Sequence, residues 1–293
     1  MKTNPRTLPR TLGPAEARVV LSFREQDREI VEAADIIDLL ESEQTARKVI
    51  RNLLRKGWLT RLVGGRYLFL PPERGAQNIG ENNPLAVASA VVDQSYVGWW
   101  SAASYHSFTT QKPATVFVAV RRQIAGRTIE GADIKFVTVA ARKFFGFEVY
   151  NVYGRSTRIS EPEKTVVDCI DRPDLCGGAT ELTRIVHAAM AEVDQEKLLA
   201  AALRMNSKSL LQRLGFLSDL VERPLKDELR QQLRAAIPKK ARSSFGAPVR
   251  RKADIGYVAD WGIFVQVRKS DLLSEVPRIR RTGRTHADDT ANP

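Results

Sequence analysis

The 293-residue sequence has few of the residues that build covalent or metal-bound frameworks, with two cysteines and three histidines. Cys169 and Cys176 are too few for a disulfide framework, and no zinc-type Cys/His spacing occurs. No apolar run approaches the roughly 20 residues of a membrane-spanning helix. The first residues, MKTNPRTLPRTLG, lack the apolar core of a secretory signal. These absences predict a protein of the reducing cytoplasm with no membrane partner.

Motifs of common enzyme classes are also missing. There is no G-x-x-x-x-G-K-[ST] phosphate loop and no H-E-x-x-H metalloprotease helix. His106, His187 and His286 are scattered along the chain, which is typical of packing or surface histidines. We therefore predict a non-enzyme, without catalytic residues, bound metal, cofactor or small-molecule substrate.

One short run is the strongest argument for an enzyme. Asp133-Ile134-Lys135, with Glu130 nearby, resembles the acid-x-Lys end of a metal-dependent nuclease site, where carboxylates would hold Mg²⁺. No acidic residue between positions 94 and 129 supplies an upstream ligand, so an edge strand with solvated charges is the preferred interpretation. Glu161 and Glu163 are explained by their place at a predicted helix start. A nuclease, or an RNA-binding protein, remains the alternative function.

Charge indicates the class of partner. The chain has 46 Lys and Arg residues against 34 Asp and Glu residues, a net charge of +12. Such an excess favours a polyanionic partner and says nothing about the fold.

Residues 35–72 hold the clearest pattern in the chain. Apolar residues recur at the i, i+3, i+4, i+7 and i+8 positions of a helix: Ala46, Val49, Ile50, Leu53 and Leu54. The opposite face is polar and basic, with Gln44, Thr45, Arg47, Lys48, Arg51, Asn52, Arg55 and Lys56. Ser42 is placed to cap the N-terminus, and Gly57 to end the helix in the left-handed conformation.

A β-hairpin is predicted directly after this helix. Two strand-like runs, 58–63 and 66–70, are joined by Gly64-Gly65, which tolerate the positive φ of a tight turn. Helical patterns at 14–24 and 33–40 precede the basic helix, and 29–31 could add a short strand. This order is that of a winged helix-turn-helix.

Charge on this module favours DNA as its ligand. Residues 42–71 contain seven Lys or Arg residues and one acidic residue, Glu43, a net charge of +6. A recognition helix places its N-terminal residues at base edges while the wing reaches the backbone. A winged module used only for protein contacts is the alternative. The candidate DNA-binding residues are Gln44, Thr45, Arg47, Lys48, Arg51, Arg55, Arg61 and Arg66.

A boundary is predicted at residues 71–84, where Pro, Gly and Asn collect without periodicity. We predict a winged helix-turn-helix domain at 1–75 with a basic arm at 1–11, an α/β domain at 76–268, and a polar, partly disordered tail at 269–293. Nothing apolar and periodic bridges the boundary, so few contacts should cross it.

The second domain is predicted to be a small mixed sheet followed by helices, so the fold class is α+β. Strands are predicted at 115–120, 134–139 and 148–153, and Ser160 to Glu163 forms a predicted capping box. Residues 178–237 are predicted to be helical, with Gly215 in an apolar stripe where a close contact could require it. The run 262–267 is predicted to return to the sheet. Six basic residues and no acidic one occupy 239–252.

The sequence resembles the AbiEi-type antitoxins of abortive-infection, type IV toxin–antitoxin systems. The resemblance rests on LLRKGWL at 53–59, GRY at 65–67, RISEPEKTVVD at 158–168, GG at 177–178 and RLGFL at 213–217, in the expected order. It spans most of 14–220, and residues after 238 lie outside it.

The resemblance implies a cytoplasmic phage-resistance protein with two roles. Its winged domain would bind inverted repeats in double-stranded DNA upstream of its own operon, repress transcription and so associate with the nucleoid. Its C-terminal domain would neutralise a cognate nucleotidyltransferase toxin of the AbiEii type, with or without direct contact. No catalytic residues follow from the resemblance, since the matched C-terminal motif is a cap and a core helix.

Overall fold

The computed structural model describes residues 10–62, 64–70, 84–129, 131–152, 155–247 and 254–276. The N-terminal unit, residues 10–70, contains α1 (Pro14–Glu25), β1 (Ile30–Glu32), α2 (Ala33–Leu40), α3 (Glu43–Arg55), β2 (Leu59–Arg61) and β3 (Arg66–Phe69). Its three strands form an antiparallel sheet in the order β1-β3-β2. This is the element order that the sequence predicted, with shorter strands in the hairpin.

The ends of α3 and the hairpin turn form as the residue types predict. Ser42 Oγ accepts a hydrogen bond from the backbone N–H of Thr45 at 3.3 Å, which confirms the N-cap. Gly57 follows the helix with φ +69°, and Gly64 and Gly65 have φ +72° and +77°. These angles lie in the left-handed region that glycine enters without steric cost.

The core of the N-terminal unit joins all three helices to the sheet. Ile36, Leu53 and Phe69 are fully buried in one cluster with the other apolar residues of α1 and α3. Lys56, just after α3, pairs with Glu16 of α1 at 2.6 Å. Burial raises the pKa of Glu16, but the hydrogen bonds from Lys56 and from the Gly13 N–H outweigh burial and lower that pKa below its ordinary value. The base of α3 is thus held against α1.

The second part of the chain is built on a six-stranded mixed sheet. Its elements are α4 (Pro84–Ala90), β4 (Ser95–Val97), α5 (Trp99–Tyr105), β5 (Thr115–Val120), β6 (Arg127–Ile129), β7 (Ala132–Thr138), β8 (Phe147–Val152), β9 (Arg155–Ser160), α6 (Pro162–Asp171), α7 (Gly178–Ala189), α8 (Gln195–Met205), α9 (Lys208–Leu220), α10 (Asp227–Ala236), β10 (Ser243–Phe245), β11 (Gly256–Val258), β12 (Ile263–Val265) and α11 (Lys269–Leu272).

The large sheet has the order β6-β7-β5-β4-β9-β8 and separates two apolar layers. One layer packs Phe117 and Ala119 against α6 to α9, and the other packs Val116 and Val118 against α4. Alternate residues of β5 thus face opposite layers, as the period of a strand requires. The α+β class and the mixed sheet are confirmed. Among the described residues no helix is long and apolar enough to cross a bilayer.

The predicted capping box at the start of α6 is wrong. The N-cap is Glu161, Pro162 opens the helix, and the helix start has no side-chain cap. Ser160 belongs to β9 and is fully buried, with its hydroxyl 2.6 Å from Thr165 Oγ1. Strand pairing with Phe147 holds Ser160 in the sheet, so its side chain points inward instead of over the helix end.

The C-terminal strands form their own sheet, so the prediction that 262–267 returns to the main sheet is wrong. Strands β10, β12 and β11 pair only with one another in the described residues. Their inner residues Ile263 and Val265 are fully buried, and so is Leu272 of α11. The part of the predicted polar tail up to residue 276 is therefore ordered around a core contact, and 277–293 lie outside the described residues.

Some contacts do cross between the two parts, and they are made mainly by the hairpin. Leu62 and Leu68 of the hairpin are 2% and 0% exposed, and they belong to the apolar layer that contains Val87 and Val118. Arg66 pairs with Asp93 at 2.7 Å beside them. This interface is made by single apolar residues that point away from the hairpin's own core. Because they do not repeat along the chain, helical or strand periodicity did not predict it. Residues 71–83 of the predicted boundary lie outside the described residues.

Candidate nucleic-acid interface

The predicted recognition surface is the outer face of α3. Ala46, Val49, Ile50 and Leu53 face the core, because a spacing of three and four residues returns a helix to the same side. Six of the eight side chains that the sequence assigned to the opposite face are exposed, and Asn52 and Lys56 are half-buried. The exposed six are Gln44, Thr45, Arg47, Lys48, Arg51 and Arg55. Five residues at the N-terminal end, Glu43, Gln44, Arg47, Lys48 and Arg51, line an open groove.

The basic side chains of this face are held only weakly within the protein. Arg47 pairs with Glu43 one turn earlier at 2.5 Å, with both side chains more than half exposed. Such a solvated pair contributes about 0–1 kcal/mol, so an incoming phosphate can replace it. Arg55 donates to Asn52 Oδ1 at 3.3 Å. The face is therefore cationic and accessible.

Of the two basic side chains in the hairpin, one belongs to the exposed cationic surface and the other does not. Arg61 is exposed on β2, with its guanidinium 5.8 Å from the centre of the Tyr67 ring. Arg66 lies in the interface instead, with a side chain that is 14% exposed and paired with Asp93. The structure therefore brings seven of the eight predicted DNA-binding residues to the exposed surface of α3 and β2, and places Arg66 elsewhere.

Sequence reasoning missed the role of Arg10. Its guanidinium lies 4.0 Å from the centre of the Trp58 ring, and its Nη2 donates to the Leu70 carbonyl at 3.2 Å. Trp58 Nε1 in turn donates to the Arg10 carbonyl at 3.1 Å. The last residues of the predicted basic arm thus brace the hairpin. The sequence offered only a weak indication of these contacts, namely that Arg10 lies close to the first helix.

The possible nuclease residues are arranged as ordinary strand residues. Asp133 Oδ1 accepts a hydrogen bond from Thr128 of the neighbouring strand at 2.5 Å. Lys135 Nζ lies 5.9 Å from the centre of the Phe117 ring. Strand β7 is flanked by β5 and β6, so the expectation of an edge strand is wrong. No cluster of three His, Cys, Asp or Glu side chains able to hold a metal occurs in the described residues, which exclude Glu130.

A buried polar cluster joins α6 to the main sheet. Lys164 Nζ donates to Asp168 and, at 3.0 Å, to the Tyr96 hydroxyl, and all three side chains are nearly inaccessible. Burial raises the pKa of Asp168, although its contacts with Lys164 oppose that shift. Burial and the Asp168 carboxylate raise the pKa of Tyr96 well above its ordinary value. Because the charges are paired inside the core, the cluster is structural.

The carboxylates at the start of α6 have separate surroundings. Burial raises the pKa of Glu161, and the neighbouring Glu148 and Glu163 raise it further. Glu163 accepts a hydrogen bond from the Asp194 N–H at 3.0 Å and so ties α6 to the start of α8. Glu163 therefore joins α6 to the start of α8, whereas Glu161 makes no side-chain cap at the helix start.

Comparison with known proteins assigns the second part of the chain. Residues 96–238 match the family model described as the AbiEi antitoxin C-terminal domain. The second part of the chain contains an AbiEi-type antitoxin domain. An antitoxin role in a toxin–antitoxin system follows from that match, and with it a toxin partner in general.

A solved structure shares the fold. The RV2827C protein from Mycobacterium tuberculosis is 19% identical, with a TM-score of 0.66 over 92% of this chain and 97% of that one. No curated protein matches the sequence. The AbiEi match lies within the part built on the main sheet, while the structural likeness extends over nearly the whole chain.

Proposed function

We propose that this protein is a DNA-binding transcriptional autorepressor and an antitoxin for a cognate nucleotidyltransferase toxin. Its N-terminal unit is a winged helix-turn-helix that binds inverted repeats in the double-stranded operator of its own operon. The observation that carries the proposal is the accessible cationic face of α3, opposite a fully packed face. Type IV abortive-infection systems, phage resistance and a cytoplasmic, nucleoid-associated location belong to the same proposal.

The surface suits a division of contacts along α3. Gln44 and Arg47 lie in the N-terminal half of the helix, the part that reaches base edges in the major groove, and Arg51 lies one turn further along the same face. Arg55 and Arg61 lie further along the chain, where phosphate contacts set orientation without reading sequence. The Glu16–Lys56 pair and the Ser42 cap fix the helix before DNA arrives, which lowers the ordering cost of binding.

The test is a salt-titrated binding assay on the chain's own upstream DNA and on random DNA. Arg51→Ala should cost about 1–3 kcal/mol on the operator and less on random DNA, because the alanine cannot reach a base edge. Arg122→Ala removes an exposed arginine from the loop after β5 and is the matched control. Equal losses on both DNAs would assign Arg51 to phosphate contact, and operator binding that neither Arg47→Ala nor Arg51→Ala weakens would refute the proposal.

The antitoxin role is tested by growth rescue. Co-expression of this protein with its proposed cognate nucleotidyltransferase toxin should restore growth, and Arg51→Ala should preserve rescue because α3 lies outside the AbiEi match. Pull-down of the toxin separates direct binding from indirect neutralisation. Failure of the intact protein to rescue growth would refute this half of the proposal.

A nuclease is not favoured, and the AbiEi family is generally non-enzymatic. We expect Asp133→Ala to leave folding, DNA binding and rescue intact, because its carboxylate accepts a hydrogen bond from Thr128 of the adjacent strand, as an ordinary strand residue does. Metal-dependent cutting of DNA by the intact protein that disappears in Asp133→Ala would reverse this assignment.

A further inference from the structure

The small C-terminal sheet exposes two aromatic rings side by side. Phe264 of β12 is 48% exposed and Tyr257 of β11 is 45% exposed, and the two are register partners. Ser244 of β10 is the partner of Phe264 on the other side and is also exposed. These three residues form the outward row of the sheet, while Ile263 and Val265 face the core. This sheet lies beyond the residues that match the AbiEi domain.

Exposed basic side chains lie just before β10, the strand that carries Ser244 of this row. The Arg242 guanidinium lies 5.4 Å from the centre of the Tyr257 ring, and Lys239 and Lys240 are exposed just before β10. Neither β10, β11 nor β12 contains an acidic residue. The nearest acidic residue in the β11–β12 turn, Asp260, is directed to Arg234 at 3.5 Å. The surface therefore combines two exposed aromatic rings with exposed basic side chains.

This combination suits nucleic acid better than protein. Lysines are depleted in protein–protein interfaces, whereas they are used freely where a phosphate backbone must be neutralised. Paired bases hide their faces in the stack, so an undistorted duplex offers these rings no base face to stack on. Unpaired bases present those faces, and stacking on an aromatic ring accepts any base.

We propose that the outward face of this sheet binds single-stranded RNA. Phe264 and Tyr257 stack on two bases of the strand, and Lys239, Lys240 and Arg242 neutralise its phosphates. The Ser244 hydroxyl lies beside the Phe264 position and can donate to or accept from a ribose 2′-hydroxyl, the group that distinguishes RNA from DNA. This site is separate from α3, so it does not depend on operator binding.

The test is fluorescence anisotropy of the full-length protein with labelled twelve-nucleotide RNA and with DNA of the same sequence. The Tyr257→Ala/Phe264→Ala double variant should bind the RNA at least about tenfold more weakly, since each stacked base is worth a factor of roughly five to more than a hundred. Phe264→Tyr should bind as the wild type does, because a ring remains. Leu203→Ala, which shortens an exposed apolar side chain on α8, is the matched control.

Two further measurements separate this site from the proposed operator surface. Arg51→Ala should leave RNA binding unchanged, and the aromatic double variant should leave duplex binding unchanged. Replacing both Lys239 and Lys240 by Ala should make RNA affinity less dependent on salt. The log–log slope should become shallower by about 0.7 for each phosphate that the variant no longer neutralises.

Several results would overturn the proposal. They are the absence of RNA binding by the wild type, equal binding by the aromatic double variant, and equal loss of RNA and duplex binding in that variant. Equal affinity for RNA and DNA in the wild type would overturn the assignment to RNA. A double variant with unchanged RNA binding that no longer binds the toxin would identify the face as a protein interface instead.

Discussion

Gly215 on α9 packs so closely against Trp261 that one added methyl group should destabilise the antitoxin domain. A Cβ built there would lie 2.3–2.5 Å from three atoms of the Trp261 ring. Carbon atoms in contact are about 3.5–4.0 Å apart, so the ring would have to retreat by roughly 1 Å. Trp261 cannot do so freely, because its Nε1 donates to Asp219 at 2.8 Å and its side chain is 2% exposed.

The size of the effect follows from two opposing contributions. Overpacking a filled site costs about 1–3 kcal/mol, and replacing a helical glycine by alanine returns about 1 kcal/mol. Because both the helix and the ring are fixed here, we expect an overpacking cost of about 3 kcal/mol. The gain from alanine offsets about 1 kcal/mol of it, so Gly215→Ala should lower the free energy of unfolding by about 2 kcal/mol. In a Trp261→Ala background the clash is gone, so the same substitution should stabilise by about 1 kcal/mol.

The wild type, Gly215→Ala, Trp261→Ala and the double variant form a double-mutant cycle. Their stabilities are measured by urea denaturation followed by far-ultraviolet circular dichroism. The expected coupling between positions 215 and 261 is about 3 kcal/mol, and the sign of the Gly215→Ala effect should reverse between backgrounds. A neutral or stabilising Gly215→Ala in the wild type would refute the close contact.

Three further predictions follow from single contacts. Leu68→Ala should lower the free energy of unfolding by about 2–5 kcal/mol in urea denaturation, because it empties a buried site between hairpin and sheet, while the exposed Leu21→Ala should stay within about 0.5 kcal/mol. Ser42→Ala should cost about 1 kcal/mol by thermal unfolding, and no change would contradict its role as a cap. Burial lowers the pKa of His106 below its ordinary value of 6.5, so the unfolded chain binds more protons as the pH falls below 6.5. The part of the free energy of unfolding that depends on His106 is therefore fully present above pH 6.5 and declines below it. His106→Phe should reduce that decline in unfolding curves measured from about pH 7 to pH 5.

Periodicity and turn chemistry were sufficient for the N-terminal unit. The apolar spacing from Ala46 to Leu53, the Ser42 cap and the Gly64-Gly65 turn are local features, and each depends on residues within a turn or two of the chain. The same local patterns predicted the outer face of α3, because a residue four positions from its neighbour on a helix shares its side. Gly215 was flagged for the same reason, since a glycine within an apolar helix stripe needs a tertiary explanation.

Tertiary structure decided everything that joins segments distant in the chain. Arg66 belongs by its position to a basic wing, and only the approach of Asp93 assigns it to the interface. Ser160 has the residue type and spacing of a helix cap, but pairing with β8 turned it into a buried strand residue. The residue that contacts Gly215 is Trp261, far along the chain, between β11 and β12. The sequence pattern wrongly predicted that the strand after Trp261 joins the main sheet. Local sequence determines which face of each element is apolar, whereas the choice among apolar faces depends on packing the whole chain, and no local pattern contains that information.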